Sequence, residues 1–341
     1  NEKTILITGG AGFIGSNLAF YFQENYPKSH VVVLDCFRSE QTLSNGNLKS
    51  FGHYKNLLGF TGTVISGDIN DKSILKKIEH DFNFDYIFHE AAISDTTVGE
   101  QDLMIQTNVN AYEDLLKIAI NHDANMIYAS SAATYGDAPS PQTVGCENPG
   151  NVYGFSKLMM DNISYKYIND GVDIKIVGLR YFNVYGPREF YKNKTASTVV
   201  QFGHQILAGN TPKLFESSDK ILRDFIYIED VIQANIKACQ PKQSGVYNVG
   251  TGKTHSVNFL TNIIGGKKVF IPDRPGESRN SCADISKIKS IGFKYNNNYK
   301  SNKVSPIISS TQIKIKIMDM KRPKDYIVEF LRNDQMFINY E

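Results

Sequence analysis

The chain has 341 residues, and its 37 lysines and arginines nearly balance its 35 aspartates and glutamates. This balance argues against nucleic-acid binding, and no apolar run approaches the roughly 20 residues that cross a bilayer. The four cysteines lie far apart without a CxxC pair, so we predict a reduced, soluble, cytoplasmic protein that has no metal site, no disulfide framework and no membrane partner.

The first predicted elements are a strand, a glycine-rich turn and a helix. The β-branched run TILIT precedes the turn, and apolar residues then recur at helical intervals. At Gly9, Gly12 and Gly15 a side chain would obstruct the bend, the approach of a pyrophosphate or the packing of helix on strand. The helix amino terminus offers free N–H groups to phosphates. This order predicts dinucleotide binding.

The second predicted strand, VVVLD, ends at Asp35, where a carboxylate can bond an adenine ribose. Such a carboxylate favours NAD because it repels a 2′-phosphate. Arg38 and Lys49 follow closely and could compensate the negative charge. The residues alone therefore leave NAD and NADP open.

Further strands are predicted in TVISGDI, DYIFHEAAIS, NMIYASSAATYG and DIKIVGLRYFNVYGP. Helices are predicted around residues 72–82, over about 102–121, and after residue 151. This alternation predicts an α/β fold with a doubly wound parallel (Rossmann) sheet, whose ligands lie beyond the carboxyl ends of the strands.

The alternation loosens after Gly186, so we predict a smaller α/β substrate-binding lobe made of several segments. The predicted dinucleotide domain comprises residues 1–183 and about 224–250. The predicted lobe comprises about 184–223 and 251–341. Its last part, after Phe293, is rich in Asn, Ser and Lys without a clear period.

Four motifs carry a family resemblance: TGGAGFIG, SSAATYG, YGFSK and RYFNVYGPRE, in this order and at this separation. They resemble the extended short-chain dehydrogenase/reductases that act on nucleotide sugars. Together with FHEAAISDTT and PKLFESSDKILRDFIY, they are similar to the ADP-L-glycero-D-manno-heptose 6-epimerases of lipopolysaccharide precursor synthesis. The resemblance is dense from residue 4 to about 230 and thins beyond it.

The resemblance implies a catalytic group of three residues. Tyr153 would be the acid/base, Lys157 would hold the nicotinamide ribose, and Ser131 would hydrogen-bond the reacting sugar oxygen. A phenol useful as a base near neutral pH needs its pKa lowered by about three units. We expect the Lys157 ammonium and the positive nicotinamide ring to lower it.

The choice among reactions depends on three residues. Ala132 and Ala133 stand where the 4,6-dehydratases of this superfamily carry an acidic pair, which argues against elimination of water. Lys192 stands where the 6-epimerases carry a second acid/base. The resemblance therefore implies that Tyr153 and Lys192 face each other across C6 of a heptose, one removing and the other returning the hydroxyl proton.

The same resemblance implies a binding role for two further groups of residues. Those expected to bind the cofactor are Gly9, Gly12, Phe13, Ile14, Gly15, Asp35, Cys36, Lys49, Lys72, Glu90, Ala91, Ala92, Ile93, Ser94, Thr107, Tyr153, Lys157 and Val184. Those expected to bind an ADP-sugar are Ser131, Asn183, Lys192, Lys194, Gln201, Phe215, Glu216, Ser217, Ser218 and Arg223. Because the family mostly uses NADP, and Lys49 and Lys72 are suitable cations, the resemblance favours NADP with NAD as the alternative.

Gln201 and Lys194 depart from the family, which carries a histidine and a hydroxyl residue there. Arg279 or Asn280 could replace its late aromatic substrate contact.

Two alternatives to a 6-epimerase stay open. A 4-epimerase of a UDP- or GDP-sugar would let the ketone rotate and would not need Lys192. A cofactor-sensing regulator would lack catalysis altogether. The resemblance also implies a homo-oligomer.

Overall fold

Seven parallel strands form the central sheet of the computed structural model, which describes residues 2–207, 210–240, 244–264, 267–273 and 280–296. With those of the smaller sheets included, the described strands are β1 (Thr4–Thr8), β2 (His30–Asp35), β3 (Thr63–Ser66), β4 (Tyr86–His89), β5 (Asn125–Ser131), β6 (Ile176–Tyr181), β7 (Asn183–Tyr185), β8 (Lys213–Phe215), β9 (Leu222–Arg223), β10 (Phe225–Tyr227), β11 (Gly245–Val249), β12 (His255–Ser256), β13 (Val269–Ile271) and β14 (Asn280–Ser281). The central order is β11-β6-β5-β4-β1-β2-β3. This confirms the predicted doubly wound parallel sheet.

Helices cover both faces of this sheet. The described helices are α1 (Phe13–Asn25), α2 (Lys72–Asp81), α3 (Gln101–Ile105), α4 (Ala111–Asn121), α5 (Val152–Asn169), α6 (Thr198–Leu207), α7 (Ile228–Ala238), α8 (Val257–Ile264) and α9 (Ser286–Ser290), of which α6 and α8 lie beside the small sheets. Because successive strand residues face opposite sides, Ile5 and Ile7 pack into the core layer of α1 and α7, whereas Leu6 packs into the layer of α2, α4 and α5. Because both faces of the central sheet are buried, its strands appear in the sequence as continuous apolar runs.

The helix predicted over about 102–121 is interrupted. A single π-helical turn at Gln106–Asn110 separates α3 from α4. Asn108, inside this turn, accepts from the backbone N–H of Ile93 at 2.8 Å and donates to its carbonyl at 3.0 Å. The interruption therefore lets one side chain hold the loop after β4, as is common for π turns near functional sites.

Small sheets lie outside the central one. Strands β8 and β13 pair in parallel, β9 pairs with β12 and β14, and β7 pairs with β10. Asp224 links these segments because its fully buried carboxylate accepts N–H bonds from Thr251, Gly252 and Ala283. The domain boundaries stay a prediction, and the predicted lobe beyond residue 296, like Arg279, lies outside the described residues. Within the described ranges, no helix combines the length and apolar character needed to span a bilayer.

Candidate active site

A cavity of about 290 Å³ runs along the carboxyl ends of β1, β2, β4, β5 and β6. The strand order reverses there, between β1 and β4, which is where ligands of such sheets bind. The predicted cofactor residues that line it are Gly9, Gly12, Phe13, Ile14, Gly15, Asp35, Cys36, Lys49, Glu90, Ala91, Ala92, Ile93, Ser94, Thr107, Tyr153, Lys157 and Val184. Lys72 lies apart from this lining, with Nζ 3.2 Å from Asp114.

The glycine turn leaves no space for side chains. A Cβ on Gly15 would lie 2.3 Å from the carbonyl oxygen of Gly9, and one on Gly9, where φ is +67°, would lie 2.7 Å from the backbone nitrogen of Ala91. Gly12 precedes α1 without a capping side chain, so the first N–H groups of this helix keep their capacity to bind an anion. This cradle fits the pyrophosphate of a dinucleotide.

Replacing Gly15 with alanine tests the cradle. Because the new Cβ meets backbone, we expect cofactor affinity to fall about tenfold or more and stability to fall by about 1–3 kcal/mol. Isothermal titration calorimetry with NAD⁺ and with NADP⁺ measures the first effect, and urea unfolding measures the second. Gly99→Ala is the matched control, since nothing lies within 4 Å of its added Cβ. Unchanged cofactor affinity in the Gly15 variant would contradict a phosphate cradle here.

At the end of the cavity where adenine is expected, the Asp35 carboxylate bonds other groups than the ribose that the sequence suggested. The N–H groups of Ala11 and Phe37 donate to its two carboxylate oxygens at 2.9 and 2.8 Å. Gly52 packs against the same group so closely that a Cβ there would lie 2.1 Å from Oδ1. Asp35 is thus turned toward protein backbone, and Lys49, 3.7 Å from Asp68, brings a cation to the cavity wall.

The start of α5 positions the tyrosine and the lysine. Asn151 caps the helix by accepting from the N–H of Gly154 at 2.8 Å. Gly154 allows the helix to approach the end of β5, because a Cβ there would lie 2.3 Å from the carbonyl oxygen of Ala133. The helical spacing then places Tyr153 and Lys157 on one face, with the lysine Nζ 5.9 Å from the tyrosine ring centre.

Hydrogen bonds orient the Lys157 ammonium and the Ser131 hydroxyl. Lys157 is 2% exposed, and its ammonium donates to the carbonyl of Ala129 at 2.7 Å, which leaves its remaining hydrogens available to a ligand in the cavity. Ser131 Oγ accepts from the N–H of Ala133 at 3.1 Å. Because its own hydrogen is then available, Ser131 can donate to the phenol of Tyr153, whose pKa it lowers, or to an oxygen of a ligand in the cavity.

The pKa of Tyr153 is raised in this structure, so the neighbouring Lys157 does not by itself produce the expected lowering. Burial raises this pKa, the hydrogen bond with Ser131 lowers it, and the Glu90 carboxylate raises it further. Burial also lowers the pKa of Lys157 to about 8, although the carboxylates of Glu90 and Asp161 act in the opposite direction. Desolvation is the largest influence on the pKa of both groups, and the four-residue spacing of the two side chains does not reveal it.

Lys192 belongs to a separately anchored segment that reaches the same cavity. Its Nζ lies 5.9 Å from the ring centre of Phe13. Buried Glu189 accepts hydrogen bonds from the backbone N–H and the hydroxyl of Ser197, and Arg188 donates to the carbonyl of Asn56 at 3.2 Å. The conformation of this segment is therefore determined by contacts on both sides of Lys192.

A buried ionic network lies one helical turn beyond Lys157. Arg180 and Asp161, each about 1% exposed in its side chain, pair at 2.8 Å. Tyr128 and Ser130 also donate to Asp161, at 2.8 and 3.0 Å, and Arg180 bonds Glu147 as well. The network connects α5 to β5 and β6 directly behind the residues of the cavity.

The predicted substrate residues do not all converge. Ser131 and Lys192 line the cavity. Asn183 donates to the carbonyl of Asp224 and to Ser281, both at 3.1 Å, so it faces the small sheets, whereas Val184 after it faces the cavity. The others lie on or near elements of the small sheets and α6: Lys194, Gln201, Phe215, Glu216, Ser217, Ser218 and Arg223. Gln201 donates to the carbonyls of Lys194 and Ala196, at 2.9 and 2.6 Å.

Sequence reasoning missed part of the cavity wall. The missed residues are Leu34, Leu43, Leu48, Ser50, Phe51, Gly52, Gly67, Asp68, Ile69, Asn70, Asp95, Ala129, Ser130, Tyr181 and Phe182. The residues after β3 could have been found from their place at a strand end. The loop before residue 52 could not, because its position depends on distant partners such as Asp95, which accepts from Asn45 and Asn47. Across the described ranges, no group of three or more His, Cys, Asp or Glu side chains could hold a metal ion.

Comparison with known proteins agrees with this geometry. The model of the NAD dependent epimerase/dehydratase family matches residues 5–250. The chain is 44% identical to Helicobacter pylori ADP-L-glycero-D-manno-heptose-6-epimerase, with a TM-score of 0.81 over 98% of this chain and 96% of that one. Methanobrevibacter ruminantium UDP-N-acetylglucosamine 4-epimerase is 27% identical, with a TM-score of 0.78 over 100% of both chains. Thermotoga maritima UDP-glucose 4-epimerase is 25% identical, with a TM-score of 0.78 over 98% and 99% of the two chains.

The glycine cradle, the paired tyrosine and lysine, and these relatives lead to one conclusion. The cradle and its cavity suit a nicotinamide dinucleotide, and a family of NAD-dependent enzymes matches most of the chain. The protein is therefore a member of the NAD-dependent epimerase/dehydratase family, within the extended short-chain dehydrogenase/reductases, and is an isomerase of the nucleotide-sugar epimerase type.

Proposed function

We propose that the protein interconverts ADP-D-glycero-D-manno-heptose and ADP-L-glycero-D-manno-heptose through a 6-keto intermediate, with NADP as its cofactor, and so serves lipopolysaccharide precursor synthesis. The observation that carries the proposal is that Lys192 and Tyr153, held by different segments, line one cavity. The 44% identity to an enzyme named for this epimerisation supports the choice of sugar.

In the proposed mechanism Tyr153 removes the proton of the C6 hydroxyl while Ser131 donates a hydrogen bond to the same oxygen. A bound oxidised nicotinamide supplies the hydride acceptor and afterwards the returning hydride. Lys157 holds the cofactor ribose and brings a positive charge close to the phenol. The ammonium of Lys192 protonates the oxygen when the hydride returns to the other face, and the roles reverse in the opposite direction. Each acid or base contributes about 10²–10⁴ in rate.

Desolvation of Tyr153 is compatible with this role. Burial raises its pKa in the free protein, and a positive charge close to the phenol in a water-poor cavity acts strongly against that effect. The base would then form only when the cofactor is oxidised and bound, which suits a reaction that begins by removing a hydride.

The preference for NADP rests on the adenine end of the cavity. Asp35 bonds backbone N–H groups, so its charge is partly compensated. Lys49 lines the wall near it and can pair with a 2′-phosphate in place of Asp68. We further propose that the small-sheet segments around residues 215–223 bind the ADP group. Arg223 there would contact the diphosphate, for which the planar fork of an arginine is suited.

Incubation with ADP-D-glycero-D-manno-heptose tests the proposal. We expect NMR to show the C6 epimer accumulating to equilibrium, and mass spectrometry to identify NADP among the cofactors released on denaturation. UDP-galactose is the control substrate and should stay unchanged. Epimerisation of UDP-galactose without reaction of the heptose would favour the 4-epimerase alternative. A protein with bound cofactor and no reaction on either sugar would contradict both.

A further inference from the structure

Glu90 is a partly buried carboxylic acid to which the mechanism above gives no role. It follows β4 directly and lines the cavity together with Tyr153 and Lys157. The hydroxyl of Tyr181, at the end of β6, donates to its Oε1 at 2.9 Å. Its other oxygen, Oε2, is buried and has no hydrogen-bond partner within the described part of the chain. A buried polar atom without a partner in a ligand cavity calls for a physical explanation.

The directions of the neighbouring hydrogen bonds locate any proton on Glu90. The amide of Asn235 on α7 donates one hydrogen to the carbonyl of Val231 and the other to the hydroxyl of Tyr181, both at 2.9 Å. Tyr181 therefore accepts from Asn235 and gives its only hydrogen to Oε1 of Glu90. Because Oε1 is an acceptor, a protonated Glu90 carries its proton on the buried oxygen Oε2.

The titratable groups that face Glu90 come from several elements. Lys157 and Tyr153 face it from α5, Tyr181 faces it from β6, and His89 precedes it on β4. His89 is neutral near pH 7, because burial and the charge of Lys157 lower its pKa to about 3. Burial raises the pKa of Glu90 to about 8, against the lowering effects of the Tyr181 hydrogen bond and the Lys157 charge. In its ionised form, Glu90 in turn raises the pKa of Tyr153.

We propose that Glu90 is a positioning residue of the reaction centre, which keeps a proton on Oε2 and so removes a negative charge that would oppose formation of the Tyr153 phenolate. Near neutral pH the acid is neutral and the phenol experiences mainly the cations around it. At higher pH the proton leaves, the carboxylate reappears beside Tyr153, and the phenolate becomes harder to form. The effect on turnover rests on the proposed function, whereas the coupling between the two groups does not.

Glu90→Gln is the decisive variant because it copies the protonated acid. Its amide oxygen can accept from Tyr181, and its N–H group replaces the Oε2 proton at every pH. With tyrosine labelled at ¹³Cζ, and Tyr153→Phe used to assign the signal, NMR follows the Tyr153 titration without any substrate. We expect the midpoint to fall by about one pH unit in the variant. An unchanged or raised midpoint would overturn the proposal.

Two further measurements make the test independent of how well the variant folds and of the proposed reaction. In the unaltered protein labelled at glutamate ¹³Cδ, the carboxyl signal that Glu90→Gln removes should titrate near pH 8, and titration of that signal below pH 6 would refute the inference. Glu79→Gln, on α2 away from the cavity, should leave the Tyr153 midpoint unchanged, and a comparable fall there would also refute it.

Turnover adds a third readout. The ratio of epimerase activity in Glu90→Gln to that in the unaltered protein should rise about tenfold between pH 7 and pH 9. A constant ratio would indicate a merely structural role. If neither protein acts on the heptose, the proposed function fails while the NMR titrations still decide the inference. If epimerisation occurs without the titration shift, only the inference fails.

Discussion

Replacing Lys192 with methionine should reduce epimerisation by about two to four orders of magnitude, with the fold and the bound cofactor retained. Methionine keeps most of the length and apolar contact of the side chain beside Phe13 and removes the titratable ammonium. In the proposed mechanism, a ketone reduced on the second face then lacks its proton donor. Rates from NMR, with circular dichroism and cofactor content as checks, measure the effect.

Lys166→Met is the matched control for this experiment. Lys166 is an exposed lysine on α5, so the same change should leave the rate close to that of the unaltered protein. If the Lys192 variant kept more than half of the activity, a single acid/base would suffice. The ketone would then have to rotate, as in the 4-epimerase alternative, and the two-residue mechanism would be abandoned.

Replacing Arg180 with methionine should lower the free energy of unfolding by about 3–5 kcal/mol. The loss follows because Asp161 stays fully buried and accepts bonds from Tyr128 and Ser130, but no longer pairs with the Arg180 guanidinium. Breaking one side of a buried pair leaves an uncompensated charge in a medium that solvates it poorly. Urea unfolding monitored by circular dichroism provides the measurement.

Lys3→Met serves as the comparison because Lys3 pairs with Asp85 at the surface, where its side chain is 45% exposed. Loss of that pair should cost no more than about 1 kcal/mol. Adding Asp161→Asn to the Arg180 variant should restore part of the stability, since the buried charge is then removed. A loss below 1 kcal/mol in the Arg180 variant would show that water or other groups already compensate Asp161.

The sequence by itself determined the features that repeat locally along the chain. Buried parallel strands read as short apolar runs, and the glycine spacing at residues 9–15 follows from the space that a phosphate turn needs. The four-residue spacing of Tyr153 and Lys157 is a property of one helical turn. Each of these patterns depends on neighbours in the sequence, so the central sheet, the glycine cradle and the Tyr153–Lys157 pair were predictable.

Only the tertiary structure decided properties that depend on distant contacts and on burial. Asp35 turns to the backbone of Ala11 and Phe37, and Lys72 pairs with Asp114 apart from the cavity. Burial changes the direction expected for the pKa of Tyr153 and raises that of Glu90. The chain order shows which charges exist, but their effect depends on how far folding removes them from water. Desolvation is a property of the assembled core, so no local pattern encodes it.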